Sequence, residues 1–160
     1  HPKLSHAGIK AKPCDLKKAP ASLQYHHVYL EGLVQHTVAV TEMCIAVAEV
    51  LQKVYNTKLD TDSLVAASLV HDIGKLWGMK GEGASWEPTD LTLDHLILGV
   101  SELYSRGFPE KVLHIVASHF GENGPTPPLT AEAIIFNKID NLDATLGANN
   151  QENLMKMLLG

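Results

Sequence analysis

Thr61-Asp62-Ser63-Leu64-Val65-Ala66-Ala67-Ser68-Leu69-Val70-His71-Asp72-Ile73-Gly74-Lys75-Leu76 begins with capping chemistry and ends in a polar cluster. Asp60, Thr61 and Asp62 offer side-chain oxygens to the unpaired N–H groups of a helix start, and Val65, Ala66, Leu69 and Val70 recur at helical spacing. This predicts a helix over 64–76 that delivers His71 and Asp72 near its C-terminal end. A carboxylate can bridge two cations while a neighbouring imidazole ligates one of them, so the adjacent pair is a candidate for metal binding. Taken alone, the dipeptide fits equally well a histidine capping its helix beside a solvated aspartate. The rest of the chain has to decide.

Outward from this stretch the pattern stays helical. Leu33, Val34, Val38, Thr41, Ile45, Ala48 and Val54 mark one face of a long helix over 33–55, with His36 near its start. Residues 78–90 hold three glycines, a proline and Trp86 and are expected as a loop able to cover a site. Asp90 suits the cap of a third helix carrying His95, with Leu93, Leu96, Ile97, Val100 and Leu103 as its apolar set and Gly107 as its stop. Pro109 fits the first position of a fourth helix that runs towards His119 and Gly121. Thr130, with Glu132, opens a fifth, which carries Asp140 and stops near Gly147. A short last helix is expected over 151–159. No segment shows a period-two strand pattern, so the fold class expected is all-α, a bundle of five to seven helices. Residues 1–20, with three prolines and little periodicity, read as an N-terminal arm, leaving 21–160 as the domain.

Composition excludes several function classes. The chain has 160 residues and a net charge of -5, with Arg106 its only arginine, so there is no basic stripe to follow a phosphate backbone. That argues against long nucleic acid as the primary ligand. Cys14 and Cys44 form no C-x-x-C pair, which sets aside a thiolate zinc site and a disulfide framework and suits a reducing cytoplasm. The apolar stretches are interrupted by polar residues every few positions, so no membrane span is expected.

One histidine or aspartate falls on each successive helix: His36, His71 with Asp72, His95, His119 and Asp140. Facing helices of a bundle can converge such groups, and a mixed imidazole and carboxylate set suits iron, manganese, cobalt, nickel or zinc. For His36, His95 and His119 taken singly, a hydrogen-bonded core histidine is the competing reading.

In this order on helices, His36, His71-Asp72 and Asp140 resemble the HD superfamily of metal-dependent phosphohydrolases, over about residues 20–147. The similarity is closest to the HD portion of a bacterial 3′-to-5′ exoribonuclease family that joins an OB-fold to an HD domain. It rests on Tyr25-His26-His27-Val28-Tyr29-Leu30-Glu31-Gly32-Leu33-Val34-Gln35-His36-Thr37, on Ala117-Ser118-His119-Phe120-Gly121 and on Ile139-Asp140-Asn141-Leu142-Asp143-Ala144. The resemblance implies His36, His71, Asp72, His95, His119 and Asp140 as ligands of divalent cations. Phe120 stands where such families often have a second consecutive histidine, which points to two ions rather than three.

The chain offers no room for an OB-fold, so the substrate expected is a small phosphomonoester or phosphodiester, a nucleotide first among them. Asp72 is expected to be shared by both ions, with in-line attack of an activated water on phosphorus. Lys75, one turn from His71, is expected at the phosphate, His27 at the substrate, and Asp143 as a solvated or supporting acid. Two other readings use the same ligands: a di-iron oxygenase and a non-catalytic nucleotide-sensing module.

Overall fold

The computed structural model describes residues 12–148. Its order is α1 (Gly32–Tyr55), α2 (Thr61–Val70), α3 (Lys75–Gly78), β1 (Met79–Glu82), β2 (Ser85–Pro88), α4 (His95–Ser105), α5 (Glu110–Ala117), a 3-10 turn (Gly121–Asn123) and α6 (Ala131–Leu146). The architecture is mostly helical. α1 packs on α2 and α6, α2 on α5, and α4 on α5. Val40 and Cys44 of α1, Leu64 and Ala67 of α2, Ile115 and Val116 of α5 and Phe136 of α6 close the central core. α1 is long and apolar enough to cross a membrane, a feature the polar interruptions had hidden. Its inner stripe nevertheless packs on two neighbouring helices and carries His36 into the interior.

Caps follow the local chemistry. Asp60 accepts from the Ser63 N–H and Thr130 from the Ala133 N–H, as expected for α2 and α6. Two boundaries differ. α4 starts at His95 and is capped by Asp94, whose Oδ1 accepts from the Leu96 N–H at 2.7 Å, rather than by Asp90. The second helix stops at Val70 instead of running to Leu76: residues 71–74 make tighter turns in which Ile73 N–H donates to the Val70 carbonyl and Lys75 N–H to the Asp72 carbonyl, and Gly74 abuts α4 so closely that a Cβ there would collide with the His95 carbonyl. His71 and Asp72 therefore lie in the turn between α2 and α3.

The fold is also not purely helical. Residues 79–88, expected as a loop, form an antiparallel hairpin in which Met79 pairs with Pro88 and Glu82 with Ser85. Gly83, at φ 60, supplies the left-handed residue of its two-residue turn. Because Met79 is the hairpin's single buried residue, no alternating pattern was available to reveal it. The predicted arm, too, is packed from Cys14 onward: Cys14 N–H donates to the Leu76 carbonyl, and Ala19 and Ala21 are buried with Leu33, Leu76 and Met79. The last helix over 151–159 lies outside the described residues.

Candidate metal centre

The six expected ligands come from five parts of the bundle, and all converge. His36 lies on the second turn of α1, His71 and Asp72 in the α2–α3 turn, His95 at the first position of α4, His119 just beyond α5 and Asp140 on α6. His36, His71, Asp72 and His119 are buried, while His95 and Asp140 keep partial exposure. The Nε2 of His36 stands 3.2 Å from Nε2 of His71 and 3.1 Å from Oδ1 of Asp140. Asp72 faces both sides: its Oδ2 lies 3.2 Å from Nε2 of His71, and its Oδ1 3.5 Å from Nε2 of His95.

The six fall into two compact groups, His36 with His71 and Asp140, and Asp72 with His95 and His119, and His36 also groups with His26 and His27 behind it.

For His36, His71 and His119, a partner on the opposite side of the ring engages Nδ1. Nδ1 of His71 donates to the Ser68 carbonyl at 2.9 Å and Nδ1 of His119 to the Val116 carbonyl at 2.7 Å. Nδ1 of His36 donates to Oδ2 of Asp143 at 2.6 Å. A carbonyl can only accept, so His71 and His119 carry their proton on Nδ1 and present an Nε2 lone pair to the centre.

Two further atoms, Asp72 Oδ1 and His95 Nε2, are buried without a hydrogen-bond partner in the described structure. Buried polar atoms are normally satisfied, because leaving one unpaired costs about 1–3 kcal/mol. Lone pairs converging from several rings, with orphaned acceptors among them, are the donor set of divalent cations, and the residues fit that ligand.

The electrostatics agree. Burial pushes His119 down to about 4 and lowers His95, keeping both rings neutral and able to ligate. Burial opposes charge on His36 as well, but hydrogen bonds to Asp140 and Asp143 outweigh it and push the ring up to about 9. Burial also opposes the charge on Asp72, yet nearby His71 and Lys75 hold it well below the usual carboxylate range.

Lys75 Nζ donates to Asp72 Oδ2 at 2.6 Å and opens on the other side into a cleft of about 520 Å³. Tyr25, His26, Leu93, His95 and Phe120 are among its walls. His27, expected at the substrate, is instead buried against His36 and does not line this cleft; its neighbour His26 does. Asp143 is buried and holds His36, so it is a supporting acid rather than a solvated one. Its position three residues after Asp140, on the adjacent strip of the same helix face, was the available signal.

The sequence profile of the HD domain matches residues 33–145, a span that contains all six converging residues. The chain belongs to the HD domain family. It is 40% identical over 148 residues to the dihydroneopterin 2′,3′-cyclic phosphate phosphodiesterase of Methanocaldococcus jannaschii, an alignment covering 91% of this chain and 59% of that protein. It is 31% identical over 150 residues to the 3′-5′ exoribonuclease YhaM of Bacillus subtilis, covering 86% of this chain and 46% of the relative. The YhaM of Oceanobacillus iheyensis is similarly 31% identical over 156 residues, covering 90% and 48%. The chain thus spans about half the length of the curated relatives it matches. No solved structure matches it.

Proposed function

We propose that this chain is a metal-dependent phosphohydrolase of the HD type that cleaves a small phosphodiester, a nucleotide-like cyclic phosphate first among the candidates. The observation that carries the reading is the pair of adjacent ligand groups, with the Asp72 carboxylate between His36 and His71 on one side and His95 on the other, beside a cleft of about 520 Å³. His36, His71 and Asp140 would hold one ion and Asp72, His95 and His119 a second, with Asp72 facing both. Divalent cations bound there supply Lewis acidity to an attacking water and to the phosphoryl oxygens.

The chain's own residues would do the rest. Lys75, anchored by Asp72, holds its ammonium at the cleft wall, where it offsets charge developing on a phosphoryl oxygen. His26, kept neutral by burial, lines the same cleft and can hydrogen-bond the ester. The exposed rings of Tyr25 and Phe120 give a flat base or pterin something to stack on. Opening a cyclic diester adds one water and breaks one P–O bond, leaving a monoester and a free hydroxyl.

Two relationships support this choice. The cleft's size is in the range of small-molecule sites, and a relative at 40% identity is named for a cyclic phosphate phosphodiesterase. The free thiols Cys14 and Cys44 are in keeping with a reducing, cytoplasmic setting.

The test combines elemental metal analysis with an anaerobic assay on 2′,3′-cyclic mononucleotides, mononucleotides and bis(p-nitrophenyl) phosphate, with Asp72→Ala as control. Bound metal with Asp72-dependent hydrolysis is expected. A metal-loaded protein that hydrolyses none of these would overturn the proposal and redirect attention to iron-dependent oxygen consumption or to sensing.

A further inference from the structure

His27 is the one histidine of the centre whose backbone is forced. Its φ of 46 puts it in the left-handed region that non-glycine residues avoid. Both of its backbone groups are engaged there: its N–H donates to the Gly147 carbonyl at 3.0 Å, and its carbonyl accepts from the Ala21 N–H at 3.1 Å. Two glycines make the room. A Cβ at Gly32 would collide with the His27 carbonyl, and a Cβ at Gly147 would collide with the His27 ring. A buried side chain held in an unfavourable conformation, with space cleared on two sides, is placed by everything around it.

The ring faces the support of a ligand and not the cleft. Its Nε2 lies 3.6 Å from Asp143 Oδ2, the same oxygen that accepts from Nδ1 of His36. Its centroid stands 5.5 Å from the His36 ring, and its Nδ1 3.1 Å from Nδ1 of His26.

We infer that His27 is a positioning residue of the metal centre: wedged between Gly147 and His36, its imidazole packs beside the Asp143 carboxylate, 3.6 Å away and beyond hydrogen-bond reach, and so limits where that carboxylate and the His36 ring it accepts from can sit. The inference rests on the proposed metal site, and it assigns His27 no contact with substrate. Groups that orient a ligating histidine typically change metal affinity by about 10–100-fold when removed.

Gly147 gives an independent handle. Its φ of -80 and ψ of 2 suit alanine, so a methyl group there meets resistance from the His27 ring, whose Nε2 would lie 2.7 Å away, and not from its own backbone. Asparagine tolerates the left-handed conformation, so His27→Asn removes the ring while sparing the turn.

Manganese(II) binding to the full chain should be measured by titration for wild type, His27→Asn, Gly147→Ala and the double variant. Melting temperatures in chelator and the ¹⁵N signal of the His36 Nδ1–H should be recorded alongside. Each single variant is expected to bind at the His36 ion about 10–100-fold more weakly, with a displaced His36 signal. The double variant should be no worse than His27→Asn, because the methyl then occupies space the ring has left. Affinity within twofold of wild type in either single variant would overturn the inference, even if the melting temperature fell, since His27 would then be a packing residue only. Wild type that binds no manganese would instead bring down the metal centre itself.

Discussion

Replacing Asp72 by alanine should remove metal-dependent stabilisation altogether, whereas replacing His119 should remove only half of it. Asp72 turns one oxygen towards His36 and His71 and the other towards His95. His119 shares a group with Asp72 and His95, but of His119 and Asp72 only Asp72 also turns an oxygen towards His36 and His71. A ligand present at 100 times its Kd stabilises the folded state by about 2.7 kcal/mol. For a domain of this size, 1 kcal/mol moves the melting temperature by about 2–4 °C. Each ion should therefore raise it by about 5–11 °C, and two ions by about 10–22 °C.

The assay is a thermal melt of each variant in chelator and in saturating manganese or zinc, read as the difference between the two. Taking that difference within each variant cancels the separate effect of leaving Lys75, paired to Asp72 at 2.6 Å, without its carboxylate. Asp72→Ala should show no increment and His119→Ala about half of the wild-type increment. Retention of the full increment by Asp72→Ala, or its complete loss in His119→Ala, would refute the arrangement of two ions about one shared carboxylate.

Metal uptake at the His36 group should release about one proton below pH 9, because that ring is pushed up to about 9 and must lose its proton to ligate. Affinity there should fall as pH drops, while the group containing His119, whose ring is neutral down to about 4, and His95, whose ring burial also lowers, should bind with less dependence on pH above 5. Calorimetry in two buffers of different ionisation enthalpy counts the protons, and equal release at both groups would contradict the assignment. Phe136→Ala, at a fully buried ring 5.0 Å from that of His71, should cost about 3–5 kcal/mol in chelator by urea unfolding. A loss below 2 kcal/mol would mean that the wall behind the ligands can collapse around the gap.

Local chemistry made much of this protein legible. Helix caps such as Asp60 and Thr130 act within three residues, and the apolar spacing of α1 and α6 repeats within a turn, so both can be read from adjacent letters. The types and order of the ligands were equally visible, because metal chemistry selects imidazole and carboxylate wherever they stand. What the sequence could not state is distance. The bond from His36 to Asp143 spans 107 positions, and only the packing of α1 on α6 closes it. The free nitrogen of His36, His71 and His119 is likewise set by a partner behind the ring, and Gly74 meets α4 only once the chain has folded. His26 and His27 are neighbours of identical chemistry, yet one lines the cleft and the other is buried behind a ligand. That division depends on a left-handed turn cleared by Gly32 and Gly147, residues that reach His27 only once the chain has folded.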